Sequence, residues 1–309
     1  GAVSQGTEQP RQYAVWAPHA DRVDVVCGGT PRRMAAGERP GWWVAPVEPG
    51  DDGRYAFSLD GGDPRPDPRS LAQPDGVHAA SALLDLTAYD WGDADWSGRS
   101  LEGSVLYELH VGTFTAEGTF AAAIERLDHL VDLGVTTVTL MPVAAFPGRH
   151  GWGYDGVALF AVHEPYGGAR GLQEFVDACH RRGLAVHLDV VYNHLGPSGN
   201  YLGQFGPYFT DRHHTPWGQA VNLDAPGSDE VRAFLLDNAR MWLTDFHLDG
   251  LRLDAVHALY DDRAEHLLEA LATLADEISR QSGIPRHLIA ESDRNDPATV
   301  SPRGPGGAG

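Results

Sequence analysis

The sequence predicts an α/β protein that begins with a small β-sandwich and continues as a parallel sheet covered by helices. Short aromatic-rich stretches separated by Gly and Pro turns occupy residues 13–59, as in a sandwich of antiparallel strands. From residue 104 onward, apolar runs of strand length alternate with amphipathic helical stretches, which indicates parallel strands. No glycine-rich phosphate loop follows the first of these strands, which disfavours nucleotide-binding folds. A doubly wound sheet and a closed eightfold barrel both fit this alternation.

The sandwich and its linker are predicted to span residues 1–100. The expected strands are 13–18, 22–27, 42–45 and 54–59. Four prolines between residues 64 and 74 then mark an irregular link. Trp91 and Trp96 follow this link, and paired tryptophans can form a platform for sugar rings. In a small sandwich they more often pack a core or a domain contact, and we favour that interpretation here.

The α/β part is predicted to span residues 101–300. Its expected strands are 105–111, 135–141, 184–192, 250–254 and 287–291, and its expected helices are 120–133, 172–182, 230–246 and 266–278. The first strand has the composition of a buried strand. The first helix has an apolar face that includes Val131. Residues 301–309 are rich in Gly and Pro, which predicts a disordered tail.

Composition restricts the class of partner. Hydrophobic residues make up 42% of the 309 residues, which is enough for a sizeable core, and the formal net charge is −20. Nucleic acid or an anionic membrane is therefore disfavoured as a partner, because phosphate groups require basic patches. Cys27 and Cys179 lie in apolar stretches and suggest neither a disulfide framework nor a zinc site. Without a signal peptide or a membrane-length apolar run, we expect a cytoplasmic protein.

Charged and polar residues occur where three successive strands of the α/β part end. They are Asp189, Asn193 and His194 after the third strand, Asp254 and His257 after the fourth, and Glu291 after the fifth. A single polar strand end can be a helix cap or a buried hydrogen bond. Three in succession favour a functional site, because chemistry in parallel α/β folds takes place at the carboxyl ends of strands.

Arg252 and Asp254 lie two residues apart in a strand and should share a face. The guanidinium would keep the carboxylate ionised, as in a nucleophile or in a structural ion pair. Together with Glu291 on the next strand, Asp254 forms the two-carboxylate arrangement of a glycosidase. Glu291 lies in an apolar stretch, so we expect desolvation to help keep it protonated. Asn193 and His194 could bind sugar hydroxyls or orient the nucleophile.

Metal ligation is not predicted, because the spacing of Asp189 and His194 matches no strong ligand motif. The loops after the second and third strands are rich in aromatic residues. Most of these are expected to pack the loops, and sugar binding is assigned only to Tyr154, Trp152 and Trp217.

Three segments together resemble signature regions of the α-amylase superfamily, glycoside hydrolase family 13. They are the Asp-Val-Val-Tyr-Asn-His run at 189–194, the Gly-Leu-Arg-Leu-Asp run at 250–254, and the Ala-Glu pair at 290–291. The resemblance implies a β-sandwich followed by a (β/α)8 TIM barrel and an α-glucan substrate, without an organic cofactor. It also implies Asp254 as nucleophile and Glu291 as acid/base, with Arg252, His194 and Tyr154 around the sugar.

Further segments resemble the trehalose-releasing members of this superfamily. They are residues 151–156, 208–212, 214–218, 253–257, 260–262 and 291–296. This resemblance implies hydrolysis of the α-1,4 bond next to a terminal trehalose unit. The alternatives are a glycogen branching or debranching enzyme of the same superfamily and a non-catalytic carbohydrate-binding protein.

The sequence departs from the family pattern in two places. Ser292 follows Glu291 where Asn is expected, and no Asn-His-Asp run of the fourth signature region follows. That region would supply a third carboxylate and a further sugar-binding His. Only about five barrel strands are predicted, and a barrel of eight strands does not close on five. We therefore expect a chain truncated at its C-terminus, with an incomplete barrel and little or no activity.

Overall fold

The computed structural model describes residues 12–48, 50–51 and 53–302. The predicted tail at 301–309 falls outside the described residues from position 303 onward. Among the described residues, no helix is both long and apolar enough to pass through a lipid bilayer.

The first region is a pair of antiparallel sheets, as predicted. Its strands are β1 (Gln12–Trp16), β2 (Val23–Cys27), β3 (Thr30–Arg33), β4 (Ala35–Ala36), β5 (Trp42–Pro46), β6 (Arg54–Leu59) and β7 (Ser81–Ala82). One sheet has the order β1-β5-β4 and the other the order β3-β2-β6-β7. Tyr13 and Val15 from the first sheet pack into the same core as Val25 and Phe57 from the second. The two sheets therefore pack against each other through a shared core.

The second region is built on a parallel sheet of five strands. They are β8 (Leu106–Leu109), β9 (Thr137–Leu140), β12 (Ala185–Val190), β15 (Gly250–Leu253) and β16 (His287–Ala290). Their order across the sheet is β16-β15-β12-β9-β8, so each strand lies beside its predecessor in the chain. A doubly wound sheet would reverse its order at a switch point. This uniform order is that of a partial (β/α)8 barrel.

One row of leucines crosses this sheet in register. Leu109 pairs with Leu140, Leu140 with Leu188, Leu188 with Leu251, and Leu251 with Leu288. The first four are buried, and Leu288 on the outermost strand is only partly buried. Packing therefore weakens toward that edge of the sheet.

Helices and two small hairpins connect the parallel strands. The helices are α1 (Val111–Phe114), α2 (Phe120–Ile124), α3 (Leu127–Asp132), α4 (Gly168–His180), α5 (Leu202–Phe205), α6 (Ser228–Thr244) and α7 (Leu267–Ser282). The hairpins, which the sequence did not predict, are β10 (Ala144–Ala145) with β11 (Ala158–Val162), and β13 (Phe209–Thr215) with β14 (Gly218–Val221).

Two local predictions are wrong. The first parallel strand was expected to be buried, yet Leu106 is 40% exposed because β8 is an outermost strand of the described sheet. The helix expected at 120–133 is divided into α2 and α3, because Arg126, with φ −107° and ψ −1°, departs from regular α-helical angles although it stays in the right-handed helical region. Val131, expected on its apolar face, is 41% exposed.

The linker is anchored on the barrel by its tryptophans. Trp91 stacks on His247 with ring centroids 3.8 Å apart, and Trp96 stacks on His180 at 4.5 Å. Trp96 also donates a hydrogen bond from Nε1 to Asp249 at 2.8 Å. Their interpretation as a contact between regions, rather than a sugar platform, is confirmed.

Candidate active site

Three carboxylates converge on one guanidinium at the carboxyl ends of β12, β15 and β16. Arg252 Nη1 lies 2.8 Å from Asp189 Oδ2 and 2.9 Å from Asp254 Oδ1, and its Nη2 lies 3.4 Å from Glu291 Oε2. Asp189 and Arg252 are register partners on adjacent strands. Burial by itself would lower the pKa of Arg252. The charges of Asp189 and Glu291 outweigh this effect and hold that pKa above its usual range. The predicted shared face of Arg252 and Asp254 is thus present.

Asp254 is held from two sides. Arg252 contacts its Oδ1, and Asn193 Nδ2 donates to its Oδ2 at 3.0 Å and to its backbone carbonyl at 2.8 Å. Both contacts are charge-assisted where they reach the carboxylate, so they restrict its rotation. The side chain is only 12% exposed.

Asp189 is the most deeply buried of the three carboxylates. Tyr154 donates from its hydroxyl to Asp189 Oδ2 at 2.8 Å, and burial raises the pKa of that tyrosine. The other oxygen, Oδ1, has no hydrogen-bond partner among the described residues. Burial raises the pKa of Asp189 to about 6, against the hydrogen bonds from Tyr154 and Arg252 that lower it. Asp189 therefore titrates nearer to neutral pH than an ordinary carboxyl group.

Glu291 lies in a different environment from the one predicted. Its side chain is 47% exposed, so the expected desolvation is absent. The physical reason is its place after β16, an outermost strand of the described sheet. Its Oε2 accepts a hydrogen bond of 2.7 Å from the backbone N–H of Ala255. Apolar neighbours along the chain therefore did not lead to burial of this carboxyl group.

His194 is linked to Asp254 through Asn193, and an aromatic ring stacks on its imidazole. The amide nitrogen of Asn193 donates to Asp254, so the amide oxygen faces His194. Nδ1 of His194 donates to this Oδ1 at 2.5 Å. Burial lowers the pKa of His194, which favours the neutral ring. Trp217, at the turn between β13 and β14, stacks on this ring with centroids 4.9 Å apart and remains 50% exposed. His194, Asn193 and Trp217 thus form one connected group with Asp254.

Two predicted residues stand apart from this group. Trp152 is 74% exposed on the loop that carries Tyr154. His257 lies on a 3-10 helix after β15, with its Nδ1 3.6 Å from Asp293 Oδ1. Among the described residues, neither side chain makes a hydrogen bond or an ion pair with Asp189, Asp254 or Glu291.

Sequence reasoning missed two residues that shape the site. Ala255 adopts a left-handed conformation, with φ 42° and ψ 52°, and this brings its N–H to Glu291. Alanine carries no preference for that conformation, so no signal in the sequence could reveal it. His110 follows β8, and its Nε2 lies 2.8 Å from the carbonyl of Gly151, next to Trp152. The strand-end rule applied to the other strands would have selected it.

A second cluster of ligand-type side chains lies away from the strand ends. His213, Asp224 and Asp262 place one potential metal-ligand atom each within 4.8 Å of one another. Arg212 Nη1 lies 3.3 Å from Asp224 Oδ1, so a side-chain cation already neutralises this group. The arrangement is that of an ion-pair network.

Comparison with known proteins shows what the chain is similar to. Residues 68–208 match the family model of the alpha amylase catalytic domain. The chain is 57% identical over 304 residues to the malto-oligosyltrehalose trehalohydrolase of Arthrobacter ramosus, covering 97% of this chain and 53% of that protein. It is 33% identical to a 1,4-alpha-glucan branching enzyme of Xanthomonas campestris, covering 96% and 46% respectively.

A solved structure shows the same architecture. A candidate alpha amylase from Salmonella typhimurium superposes with a TM-score of 0.86 at 40% identity, covering 95% of this chain and 50% of that one. The resemblance to the α-amylase superfamily is thereby confirmed. The chain is a relative of the malto-oligosyltrehalose trehalohydrolases that spans about half of their length.

Proposed function

We propose that this site belongs to a retaining glycoside hydrolase that cleaves the α-1,4-glucosidic bond next to the terminal trehalose of a malto-oligosyltrehalose, releasing trehalose. The observation that carries the proposal is the convergence of Asp254 and Glu291 on Arg252. Retaining enzymes need their two carboxyl groups close together, and two groups that share one guanidinium fit that requirement. The names of the relatives support the choice of substrate.

Asp254 is the nucleophile in this mechanism. Its two oxygens are oriented by Arg252 and Asn193, so little rotational freedom is lost when one of them attacks the anomeric carbon. The attack forms a glycosyl-enzyme ester and releases the leaving-group oxygen. Water then breaks this ester and regenerates the carboxylate.

Glu291 is the acid/base. Both of its contacts use Oε2, so Oε1 is the oxygen that would carry the proton to the leaving group. A sugar bound over the half-exposed carboxyl group would exclude water from it during the proton transfer of the first step. The same oxygen would then accept a proton from the attacking water.

The surrounding residues bind and orient the sugar. Tyr154 and Asp189 form a hydrogen-bonded pair beside Arg252, and the buried carboxylate of Asp189 holds that guanidinium next to the two reacting carboxyl groups. His194 binds a hydroxyl next to Asp254, with Trp217 covering its ring.

Trp152 and His257 lie outside the carboxylate group and would contact more distant sugar units. Trp152 offers an exposed ring for stacking, and His257 offers a partly exposed imidazole. Asn193 has no free role in this scheme, because both ends of its amide are already engaged with Asp254 and His194.

The decisive experiment measures trehalose released from maltotriosyl-trehalose. It compares the 309-residue chain with a chimera in which the remaining half of the Arthrobacter ramosus relative follows residue 302. We expect little or no turnover by the chain alone and clear release by the chimera, because the resemblance implies a third carboxylate outside the 309 residues. Maltose or branched glucans as products would contradict the proposal, the latter in favour of a branching enzyme.

Substitutions in the chimera test the assigned roles. Asp254→Asn and Glu291→Gln should each lower kcat by at least about 10²-fold, the usual contribution of such groups. The control is Asp128→Asn, which alters an exposed carboxylate on α3 that takes no part in the site. Glucan binding without turnover in the unsubstituted chimera would instead support a non-catalytic binding protein.

We also infer that the protein works in the cytoplasm and does not bind nucleic acid. The net charge of −20 supports the second point. Neither Cys27 nor Cys179 takes part in a disulfide among the described residues, which fits a reducing compartment. Fractionation of producing cells with an antibody against the chain tests the compartment.

A further inference from the structure

A second group of buried charged side chains lies at the opposite end of the parallel sheet from the three carboxylates, where the linker meets the barrel. Asp249 directly precedes β15, His180 is the last residue of α4, and Asp93 lies in the linker. The side chains of His180 and Asp249 are 0% and 1% exposed, and that of Asp93 is 8% exposed. We call these three residues the His180 clasp, and the proposed hydrolysis does not use them.

Both ring nitrogens of His180 face a carboxylate oxygen. Nδ1 lies 2.8 Å from Asp93 Oδ2, and Nε2 lies 3.0 Å from Asp249 Oδ2. A neutral imidazole has a single N–H, so it can donate to only one of these carboxylates. An imidazolium donates to both, and the geometry therefore fits the charged ring.

The neighbours of His180 favour this charged ring although it is buried. Burial by itself would lower the pKa of His180. The hydrogen bonds and charges of Asp249 and Asp93 outweigh this effect and raise the pKa above its ordinary value of 6.5. Trp96 of the linker acts in the same direction, because its ring stacks on the imidazole with centroids 4.5 Å apart and an aromatic face attracts a cation.

Other charged or titratable groups face the clasp from neighbouring elements. His247, between α6 and β15, has its Nδ1 2.8 Å from Asp93 Oδ2. Arg286, before β16, has its Nη1 3.5 Å from Asp249 Oδ1. Burial lowers the pKa of His187 on β12 to about 4, so that ring is neutral at physiological pH. The thiol next to His180 on α4 is also neutral, because burial raises the pKa of Cys179.

The linker has a separate contact with α4 that involves no histidine. The hydroxyl of Tyr89 and the backbone N–H of Gly92 donate to the carboxylate of Asp177, at 3.2 and 2.9 Å. Arg181 pairs with the same carboxylate. This contact should therefore persist when His180 loses its proton, which limits any release of the linker to the residues that follow Gly92.

The two carboxylates of the clasp differ in how firmly they are held. Loss of the proton on His180 would leave one of them facing a nitrogen lone pair in a buried place, which is unfavourable. Asp249 also accepts from the backbone N–H of Val186 at 2.8 Å and from Trp96, and its own N–H donates to the carbonyl of Val186. Asp93 lies in an irregular segment whose backbone bonds to Trp96 within the same turn. The contact on the Asp93 side is therefore the one that should break.

We propose that the His180 clasp is a proton-controlled device, which holds residues 93–96 of the linker on the barrel while His180 is charged and releases them when His180 loses its proton. None of its residues belongs to the carboxylate group at the strand ends, so the device does not depend on hydrolase activity.

The direction of the pH dependence follows from the charges. Since the folded pKa of His180 lies above 6.5, the stability that the clasp contributes is complete below about pH 6.5 and is lost as the pH rises through that folded value. On the acid side, burial opposes ionisation of Asp93, but hydrogen bonds from His180 and His247 hold its pKa well below the ordinary 3.8. The clasp therefore opens on the alkaline side.

Side-chain ¹⁵N NMR of the whole chain between about pH 6 and 10 tests the device without any substitution. At pH 6 we expect both nitrogens of His180 to be protonated, whereas His187, the buried control, is neutral. As the pH rises, the indole N–H signal of Trp96, which reports its bond to Asp249, should change with the same midpoint as His180. The indole N–H of Trp43, which donates to a carbonyl inside the sandwich, should not follow that titration.

Several results would overturn the proposal. They are a neutral His180 at pH 6, a Trp96 signal that stays constant through the titration of His180, and a His180 that remains charged until the whole chain unfolds. A simultaneous change at Trp96 and Trp43 would mean general unfolding and would equally overturn it. The amide signal of Gly92 should stay constant, and its loss together with that of Trp96 would contradict a release limited to residues 93–96.

Substitution then tests the role of Asp93. Asp93→Asn keeps the size of the side chain and removes one of the two charges next to His180, so the common midpoint of His180 and Trp96 should fall by about 1 pH unit or more. The matched control is Asp95→Asn, which alters an exposed carboxylate in the same linker and should leave the midpoint unchanged. Equal shifts in the two variants, or no shift in a folded Asp93→Asn chain, would contradict the role of Asp93. The unsubstituted titration remains decisive if that variant does not fold.

Discussion

The inner strands of the parallel sheet and its outermost strand present their acidic residues in different ways. Asp189 on β12 and Asp254 after β15 lie at strands with neighbours on both sides, and both side chains are largely buried. Glu291 follows β16, with a strand on one side only, and is half-exposed. The difference shows that apolar neighbours in the chain do not by themselves bury a carboxyl group at a strand end.

Arg252 joins the two environments, and its removal should have the largest effect. Arg252→Met leaves Asp189 buried without its cation, and breaking a buried pair on one side costs about 3–5 kcal/mol of unfolding free energy. Urea unfolding measures the loss. The control is Arg170→Met, which breaks an exposed i,i+4 pair with Glu174 and a cation–π contact with Tyr89, and it should cost about 1 kcal/mol or less. Similar losses in the two variants would refute the importance of the shared guanidinium.

The row of leucines allows the apolar packing of an inner strand to be compared with that of the outermost strand β16. Leu188→Ala on β12 should cost about 2–5 kcal/mol, because it leaves a cavity in the middle of the sheet. Leu288→Ala on β16 should cost about 1 kcal/mol, since that side chain is only partly buried. Equal losses in urea unfolding would mean that the outer strand is packed as tightly as the inner ones.

The raised pKa of Asp189 predicts an effect of pH. Its pKa is about 6 in the folded chain against an ordinary value of 3.8, so the folded protein holds the proton more tightly than the unfolded chain does. The stability that this group contributes is therefore complete below about pH 4 and is lost as pH rises through about 6. The difference in unfolding free energy between the native chain and Asp189→Asn should fall by about 2 kcal/mol between pH 4 and 7. A pH-independent difference would contradict the shift.

The smallest expected effect on stability concerns the backbone of Ala255, which directly follows Asp254 and donates its N–H to Glu291. Ala255 has a positive φ, and Ala255→Gly removes the steric cost while adding freedom to the unfolded chain. We expect a net stabilisation of up to about 1 kcal/mol. Ala270→Gly in α7 is the control and should destabilise by about 0.5–1 kcal/mol. A loss of stability at both positions would show that the left-handed turn at 255 is unstrained.

Much of the fold and site follows from patterns local to the chain. Each predicted strand of the α/β part is present within a few residues, because strand and helix periods reflect which side chains face a core. The division at Arg126 and the two hairpins were missed, since short irregular elements carry weak periodicity. Among the site residues, His110 was missed although its strand-end position was visible, whereas the conformation of Ala255 left no trace in the sequence.

The sequence by itself determined that Arg252 and Asp254 share a side of one strand, because alternation along a strand is a property of the backbone. It also determined which strand ends carry acids. Only the tertiary structure decided that Asp189 lies beside Arg252 in register and that Glu291 is half-exposed. Pairing between distant segments and the number of neighbours around a strand are non-local, so no window of sequence contains them.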